Sequence, residues 1–149
     1  MRLTGERITM SMPTFCEIEI RVRYAECDPM GYLHHAKYFE YFEMGRTELL
    51  RLAGVRYRDL EERGVLFVVA KVECRFRRPA RYDDVLKLET RIVRQTRARI
   101  DHEYKLLREG MLLCEAASTL ACVDRKGQII PIPEELGEEG EKGEGRSEK

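Results

Sequence analysis

Residues 24–51, YAECDPMGYLHHAKYFEYFEMGRTELLR, decide the fold of this chain. They open on a turn at residues 28–31, Asp-Pro-Met-Gly, in which proline presets φ and glycine adopts conformations that other residues resist. Aromatic, aliphatic and small residues then recur at the spacing of one helical face, at Tyr38, Tyr41, Phe42, Gly45, Leu49 and Leu52. The pattern predicts a long amphipathic helix that begins near His34 or His35 and stops at Gly54.

Gly45 lies on the apolar stripe of this predicted helix. A glycine inside a helix costs about 1 kcal/mol relative to alanine, so its presence needs a structural reason. On the buried face it would let the helix axis approach a sheet closely. We therefore expect strands to wrap around this helix.

Five segments show the period-two alternation of strands, at residues 15–24, 68–76, 86–92, 100–106 and Met111–Val123. The last segment is apolar or small on both faces, so we expect it inside the sheet. Residues 57–63 predict one short helical turn. One strand, one long helix and then four strands with short connections predict an antiparallel sheet of the α+β class.

The chain of 149 residues with 43% hydrophobic content can form one domain with a proper core but not two. We expect that domain at residues 14–133. Residues 1–13 lack periodicity and predict a flexible N-terminal extension. Residues 134–149 are rich in Glu, Gly and Lys, cannot bury apolar area, and predict a disordered acidic tail.

Charge and cysteine usage narrow the class of protein. Lys+Arg and Asp+Glu both number 27, and this balance argues against a general nucleic-acid binder. Five cysteines without a C-x-x-C motif indicate reduced core residues of a cytoplasmic protein. The sequence has no apolar run of the roughly 20 residues that a membrane span needs and no signal peptide pattern, so we expect no integral membrane association. Three histidines without metal-ligand spacing predict no metal site.

A family resemblance covers about residues 15–130. Asp28, Gly31, His35, Tyr38, Tyr41-Phe42-Glu43 and Arg46 stand as in the motif D-x-x-G-x-x-x-H-x-x-Y-x-x-Y-F-E-x-x-R. Residues 69–84, VAKVECRFRRPARYDD, are similar to the family's second strand and the turn after it. The chain thereby resembles the hotdog-fold acyl-CoA thioesterases of the 4-hydroxybenzoyl-CoA thioesterase type, including the branch associated with the Tol–Pal system.

The resemblance implies a fold and an activity. The fold is a five-stranded antiparallel sheet around one long central helix, and the activity is hydrolysis of an acyl- or aroyl-CoA to free acid and coenzyme A. Coenzyme A would enter as part of the substrate, with no other cofactor. The family likeness also implies an obligate homodimer with active sites at its interface, and pairing of dimers into a tetramer.

The same resemblance assigns roles to individual residues. Asp28 would be the nucleophile or the general base, and the backbone amide of His35 would polarise the thioester oxygen, with its imidazole as a further participant. The predicted substrate-binding residues are Gly31, Tyr38, Arg77 and Arg78, together with Val68, Val69, Ala70 and Lys71 of the partner subunit. Glu43 is a candidate for a secondary catalytic role.

Several residues keep a second interpretation. Asp28 could be only an Asx-turn former, and local sequence does not separate His34 from His35. The default interpretation of Glu43 and Arg46, three apart on the helix, is an ion pair or a structural hydrogen bond. The arginines around Pro79 form either a solvated edge or a clamp for the phosphates of coenzyme A, namely Arg75, Arg77, Arg78 and Arg81.

Two functions of other classes also remain. A hotdog enoyl-CoA hydratase or dehydratase would use a histidine and a carboxylate for proton transfer, although the His-Phe-Pro signature of the fatty-acid dehydratases is absent. A non-catalytic acyl-binding or scaffold protein would keep the fold and the pocket without the chemistry.

Overall fold

The computed structural model describes residues 13–136. The predicted N-terminal extension, apart from Pro13, lies outside the described residues. So does the predicted tail beyond Leu136.

The order of elements agrees with the predicted one. A strand is followed by the long helix, a short helix, the four predicted strands and a further two-residue strand. The elements are β1 (Phe15–Arg21), α1 (His35–Leu52), α2 (Tyr57–Glu62), β2 (Leu66–Phe76), β3 (Val85–Gln95), β4 (Ile100–Arg108), β5 (Met111–Val123) and β6 (Ile129–Ile130), with 3-10 turns at Tyr24–Glu26 and Glu134–Leu136.

Two details of the strand prediction are wrong. The first strand ends at Arg21 rather than at residue 24, because the chain leaves the sheet to form the 3-10 turn Tyr24–Glu26. Strand β6, only two residues long, was missed because so short a segment has no periodicity to detect.

All strand pairs are antiparallel, and the strand order is β1-β3-β4-β5-β2, with β6 paired to β5. The α+β prediction is therefore confirmed. Strand β5 lies between β4 and β2, which confirms its predicted interior place. Strand β2 forms one edge of the sheet among the described residues, and most of its length is exposed.

Helix α1 packs on the sheet through its apolar stripe from Tyr38 to Leu49. Leu52, which was predicted on the same face, is 54% exposed at the last turn of the helix. Tyr41 and Phe42 are each 1% exposed, and the ring of Phe42 stacks on that of Tyr104 with centroids 4.5 Å apart. At Gly45 the contact is closest, because a Cβ there would lie 2.2 Å from Thr90 Oγ1 and 2.9 Å from Leu88 Cδ2. The prediction that this glycine allows close approach to the strands is confirmed.

The ordered part of the domain extends beyond the predicted boundary at residue 133. Leu136 is 5% exposed and packs in a second core cluster with Leu60, Ile100 and Ile132. Its carbonyl oxygen accepts a hydrogen bond from Gln95 Nε2 at 2.9 Å. Residues 134–136 therefore belong to the folded domain and not to the predicted tail. Composition alone cannot show that one leucine in an acidic segment packs into a core.

We expect Gly45→Ala to lower the free energy of unfolding by about 2 kcal/mol, since overpacking a tight contact outweighs the gain in helix propensity. Urea unfolding would measure it. The neighbouring exposed residue provides the control, and Met44→Ala should change stability little. Adding Thr90→Ala should recover part of the loss, and a Gly45→Ala protein as stable as the parent would contradict the close contact.

Candidate active site

The loop before α1 is the turn that the sequence predicts. The N–H of Gly31 donates to the carbonyl oxygen of Asp28 at 2.9 Å, which closes residues 28–31. Gly31 has φ of 83°, in the left-handed region that glycine adopts at little cost. Proline at the second position suits a turn of this kind.

Backbone hydrogen bonds then close the loop against the start of the helix. The Asp28 N–H donates to Tyr32 O at 2.8 Å, and the His34 N–H donates to Glu26 O at 2.9 Å. The Leu33 N–H donates to Ala80 O at 2.8 Å, which ties the loop to the segment after β2. As a result, Asp28 is held beside the residues that begin α1.

The two oxygens of the Asp28 carboxylate differ. Oδ1 accepts hydrogen bonds from the N–H groups of Met30 at 2.9 Å and Tyr32 at 3.1 Å. Asp28 therefore forms an Asx turn. Oδ2 accepts no hydrogen bond from any residue of the described range 13–136, and the side chain is half-buried. One oxygen therefore maintains the turn, and the other is available for chemistry.

His34 and His35 have different places at the helix start. His34 is the N-cap residue, and its Nδ1 accepts from the Ala36 N–H at 3.1 Å. His35 is the first helical residue, and its N–H donates to no partner within the part of the chain that the structure describes. This free amide lies at the positive end of the helix dipole. The question of register is settled, since the free donor belongs to His35.

The two imidazoles stack, with ring centroids 4.3 Å apart and planes inclined by 24°. The His34 ring is half-buried, whereas the His35 side chain is exposed. Since His34 Nδ1 accepts a hydrogen bond, the proton of the neutral ring is on Nε2. His34 is therefore a structural capping residue, and His35 offers a backbone donor with a solvent-facing ring.

Glu26 is a residue of this region that sequence reasoning missed. It is 5% exposed, and its Oε1 accepts from the Tyr41 hydroxyl at 2.7 Å and from the Arg23 N–H at 2.9 Å. Burial by itself would raise the pKa of Glu26, yet these hydrogen bonds and the Arg23 guanidinium hold the pKa below its ordinary value. Because Glu26 is three residues from Arg23 in the sequence, it gives only the signal of a surface ion pair.

Two motif residues on α1 have structural surroundings. Tyr38 is 3% exposed and meets Phe76 edge to face, with ring centroids 4.8 Å apart. Burial raises the pKa of its hydroxyl to about 12. Arg46 Nη1 donates to the Tyr104 hydroxyl at 2.9 Å, and across residues 13–136 it forms no ion pair with the exposed Glu43. The predicted Glu43–Arg46 pair is wrong, because tertiary packing offers Arg46 a buried partner.

The strand residues predicted to bind substrate lie far from Asp28 within one chain. Val68 and Val69 are 40% and 50% exposed on the edge strand β2, together with exposed Ala70 and Lys71. The Asp28 loop is tied to Ala80, beyond the other end of β2. From Val69 to Phe76 the strand extends about 23 Å at 3.3 Å per residue. One subunit alone therefore does not bring residues 68–71 to the carboxylate.

The arginines at and after the end of β2 differ in their partners. Arg77 pairs with Glu115, and the Arg81 guanidinium lies 4.9 Å from the centre of the Tyr32 ring. Arg75 and Arg78 have no acidic partner among residues 13–136.

The same range contains no group of three or more His, Cys, Asp or Glu side chains that could hold a metal ion. No helix in it is long and apolar enough to span a bilayer.

Comparison with known proteins shows the family of this chain. Residues 22–140 match the model of the family described as the thioesterase-like superfamily. The acyl-CoA thioesterase YbgC of Haemophilus influenzae is 35% identical over 114 residues, which cover 76% of this chain and 83% of that protein. The acyl-CoA thioester hydrolase YbgC of Escherichia coli O6:H1 is 34% identical over 106 residues, covering 70% and 79%.

A solved structure agrees as well. The DHNA-CoA thioesterase of Staphylococcus aureus superposes with a TM-score of 0.77 at 27% identity, covering 78% of this chain and 80% of that one. The hotdog fold implied by the sequence is thereby confirmed, and the enzyme class is that of a thioester hydrolase. By family model and by relatives above 30% identity, the chain belongs to the thioesterase-like superfamily.

Proposed function

We propose that the chain hydrolyses acyl-CoA thioesters with the Asp28 carboxylate and the His35 backbone N–H. The observation that carries the proposal is the pair of unused groups on one closed loop. Oδ2 of Asp28 has no hydrogen-bond donor, and the His35 N–H has no acceptor, within residues 13–136. A thioesterase needs an anion that attacks or takes a proton, and a donor at the developing oxyanion.

Two mechanisms fit this pair. As a general base, Asp28 removes a proton from water, and the resulting hydroxide adds to the thioester carbon. The tetrahedral intermediate then expels the thiolate, which receives the proton from Asp28. As a nucleophile, the carboxylate displaces the thiolate to give a mixed anhydride that water hydrolyses. In both mechanisms the His35 N–H stabilises the oxygen as its charge grows.

Coenzyme A enters as part of the substrate, with no bound cofactor. Gly31 lacks a side chain at the loop, and nothing lies within 4 Å of the place where its Cβ would be, which leaves room for the pantetheine arm. Arg78, without an acidic partner in the described range, is the better candidate for a phosphate of coenzyme A than Arg77, which pairs with Glu115.

The proposed unit is a homodimer joined along β2. This edge exposes unpaired backbone groups and apolar side chains, with Val69 and Phe76 each 50% exposed. Antiparallel pairing of two β2 edges about a two-fold axis would place residues 68–71 of the partner subunit beside Phe76 and the Asp28 loop. The missing wall of the acyl site would thus come from the partner, and pairs of dimers would form the tetramer.

The finer assignment is to the 4-hydroxybenzoyl-CoA thioesterase type and its Tol–Pal-associated branch, supported by the motif from Asp28 to Arg46. We place the protein in the cytoplasm, in keeping with five free cysteines. The folded domain runs from residue 14 to Leu136, since Leu136 is buried. Thiol release from a panel of acyl-CoAs, beside hydration of an enoyl-CoA, separates hydrolysis from the hydratase and acyl-binding alternatives.

We expect Asp28→Asn to leave the melting temperature unchanged and to lower kcat by about 10²-fold or more, because asparagine keeps the Oδ1 acceptor of the turn but loses the negative charge. Asp28→Ala is the matched variant that loses both, and it should also lower the melting temperature. Turnover of Asp28→Asn within about threefold of the parent would leave Asp28 with a turn-forming role alone.

His35→Pro tests the backbone donor. Proline is tolerated at the first helical position, and the preceding His34 has φ of −65° and ψ of 138°, which proline accepts in its neighbour. Relative to His35→Ala, which also lacks the imidazole, the substitution removes one N–H from the helix start. We expect kcat of His35→Pro to fall about 10²-fold below that of His35→Ala, which keeps the N–H.

Comparison of His35→Ala with the parent then measures the imidazole, for which the family likeness favours a loss of about 10²-fold. The control is His34→Asn rather than alanine, because asparagine maintains the N-cap. Equal turnover of the proline and alanine variants, with intact folds by circular dichroism, would remove the amide from the mechanism.

A further inference from the structure

A cavity of about 140 Å³ lies between the second half of α1 and the inner face of the sheet. Most of its wall is apolar and includes Leu49, Leu50, Phe67, Ile100 and Leu120. A cavity of about 150 Å³ accommodates benzene, so this space suits a group of about six carbons. Phe67 and Val69 of the edge strand β2 also line it, so the cavity reaches the edge where the partner's active site is proposed to lie.

A buried histidine forms part of this mostly apolar wall. His102 is 5% exposed, and its ring forms no hydrogen bond with residues 13–136. Burial, together with the charge of Arg46, lowers the pKa of His102 to about 3, so the ring is neutral and carries one proton. Nδ1 is fully buried without a partner, and a buried N–H without an acceptor is rarer than a free lone pair. The favoured tautomer therefore carries the proton on Nε2, the ring nitrogen that is not among the fully buried, unpartnered atoms.

Two charged side chains, Glu43 and Arg46, also line the cavity, together with the polar residues Thr47, Tyr57 and Gln95. Arg46 Nη1 donates a hydrogen bond to the Tyr104 hydroxyl, which lies 2.6 Å from Ser118 Oγ. The other donors of the Arg46 guanidinium have no acidic partner in the described range. Glu43 lies on the exposed side of the cavity and supplies an acceptor. The cavity thus offers donors from His102 and Arg46 and, in the Glu43 carboxylate, a charged acceptor, with opposite charges that balance.

We propose that this cavity binds the acyl chain beyond the thioester carbonyl and selects a chain of about six carbons that ends in a hydroxyl. The inference rests on the proposed thioesterase site. A hydroxyl oxygen accepts hydrogen bonds from His102 Nε2–H and the Arg46 guanidinium, and its proton is donated to the Glu43 carboxylate. His102 thereby becomes a specificity-determining residue.

Other chain ends match these groups less well. A methyl end fills the space but leaves the His102 donor without a partner, which disfavours it relative to a hydroxyl. A carboxylate would accept from both donors, but it would bring a second anion beside Glu43 and would lose hydration in an apolar cavity.

The test compares kcat/KM for hexanoyl-CoA, 6-hydroxyhexanoyl-CoA and adipoyl-CoA, whose six-carbon chains end in methyl, hydroxyl and carboxylate. We expect the hydroxylated substrate to exceed hexanoyl-CoA by about tenfold, the scale of one well-made hydrogen bond, and to exceed adipoyl-CoA by more. His102→Phe should reduce the tenfold ratio to about one. His102→Gln, whose amide nitrogen replaces Nε2, should retain most of it.

Glu103→Gln is the matched control, since Glu103 is the next residue of β4 and is exposed on the opposite face; its ratio should equal that of the parent. Equal kcat/KM for hexanoyl- and 6-hydroxyhexanoyl-CoA, a preference that survives in His102→Phe, or a preference for adipoyl-CoA would each overturn the proposal. Calorimetric Kd values for the same thioesters with Asp28→Asn keep the two proposals separate. Tighter binding of the hydroxylated thioester without turnover by the parent would contradict the proposed catalytic site and still support the proposed role of the cavity.

Discussion

The backbone hydrogen bonds across the loop between β1 and α1 are the constraint on which the candidate site depends. They pair Asp28 with Tyr32 and Glu26 with His34, so a carboxylate and a helix start that are separate in sequence are held together in space. Both groups are fixed before a substrate arrives. Fixed donors and charges cost no reorganisation during the reaction, which is the usual source of a large electrostatic contribution to catalysis.

The buried Glu26 side chain stabilises that loop. Its carboxylate accepts hydrogen bonds from the Tyr41 hydroxyl and the Arg23 backbone N–H. These bonds connect the 3-10 turn to the buried face of α1. The pKa of Glu26 is lower in the folded chain than its ordinary value. The ionised form therefore stabilises the fold above that ordinary value, and this stabilisation is lost as the pH falls through the folded-state pKa. The loop geometry is for this reason linked to acid stability as well as to the chemistry.

Local patterns predicted those parts of the structure that depend on local physics. The stripe from Tyr38 to Leu52 predicted α1, Gly45 predicted close helix–sheet contact, and the Asp-Pro-Met-Gly turn predicted the site loop. Tertiary partners were not predictable in this way. Arg46 bonds Tyr104 instead of Glu43, and Leu136 enters a core cluster from an acidic segment, because both depend on residues distant in sequence. The burial of His102 beside the cavity was likewise not predictable, because its sequence pattern is that of any strand residue.

The central claim is that the start of α1 polarises a thioester held beside Asp28. Isotope-edited infrared spectroscopy tests it most directly, with an acyl-CoA labelled with ¹³C at the thioester carbon and bound to the Asp28→Asn protein. The account predicts that the carbonyl band moves to lower wavenumber on binding, and that adding His35→Pro returns it towards its position in solution. A band that binding leaves unshifted, or a shift that persists without the His35 N–H, would contradict the account.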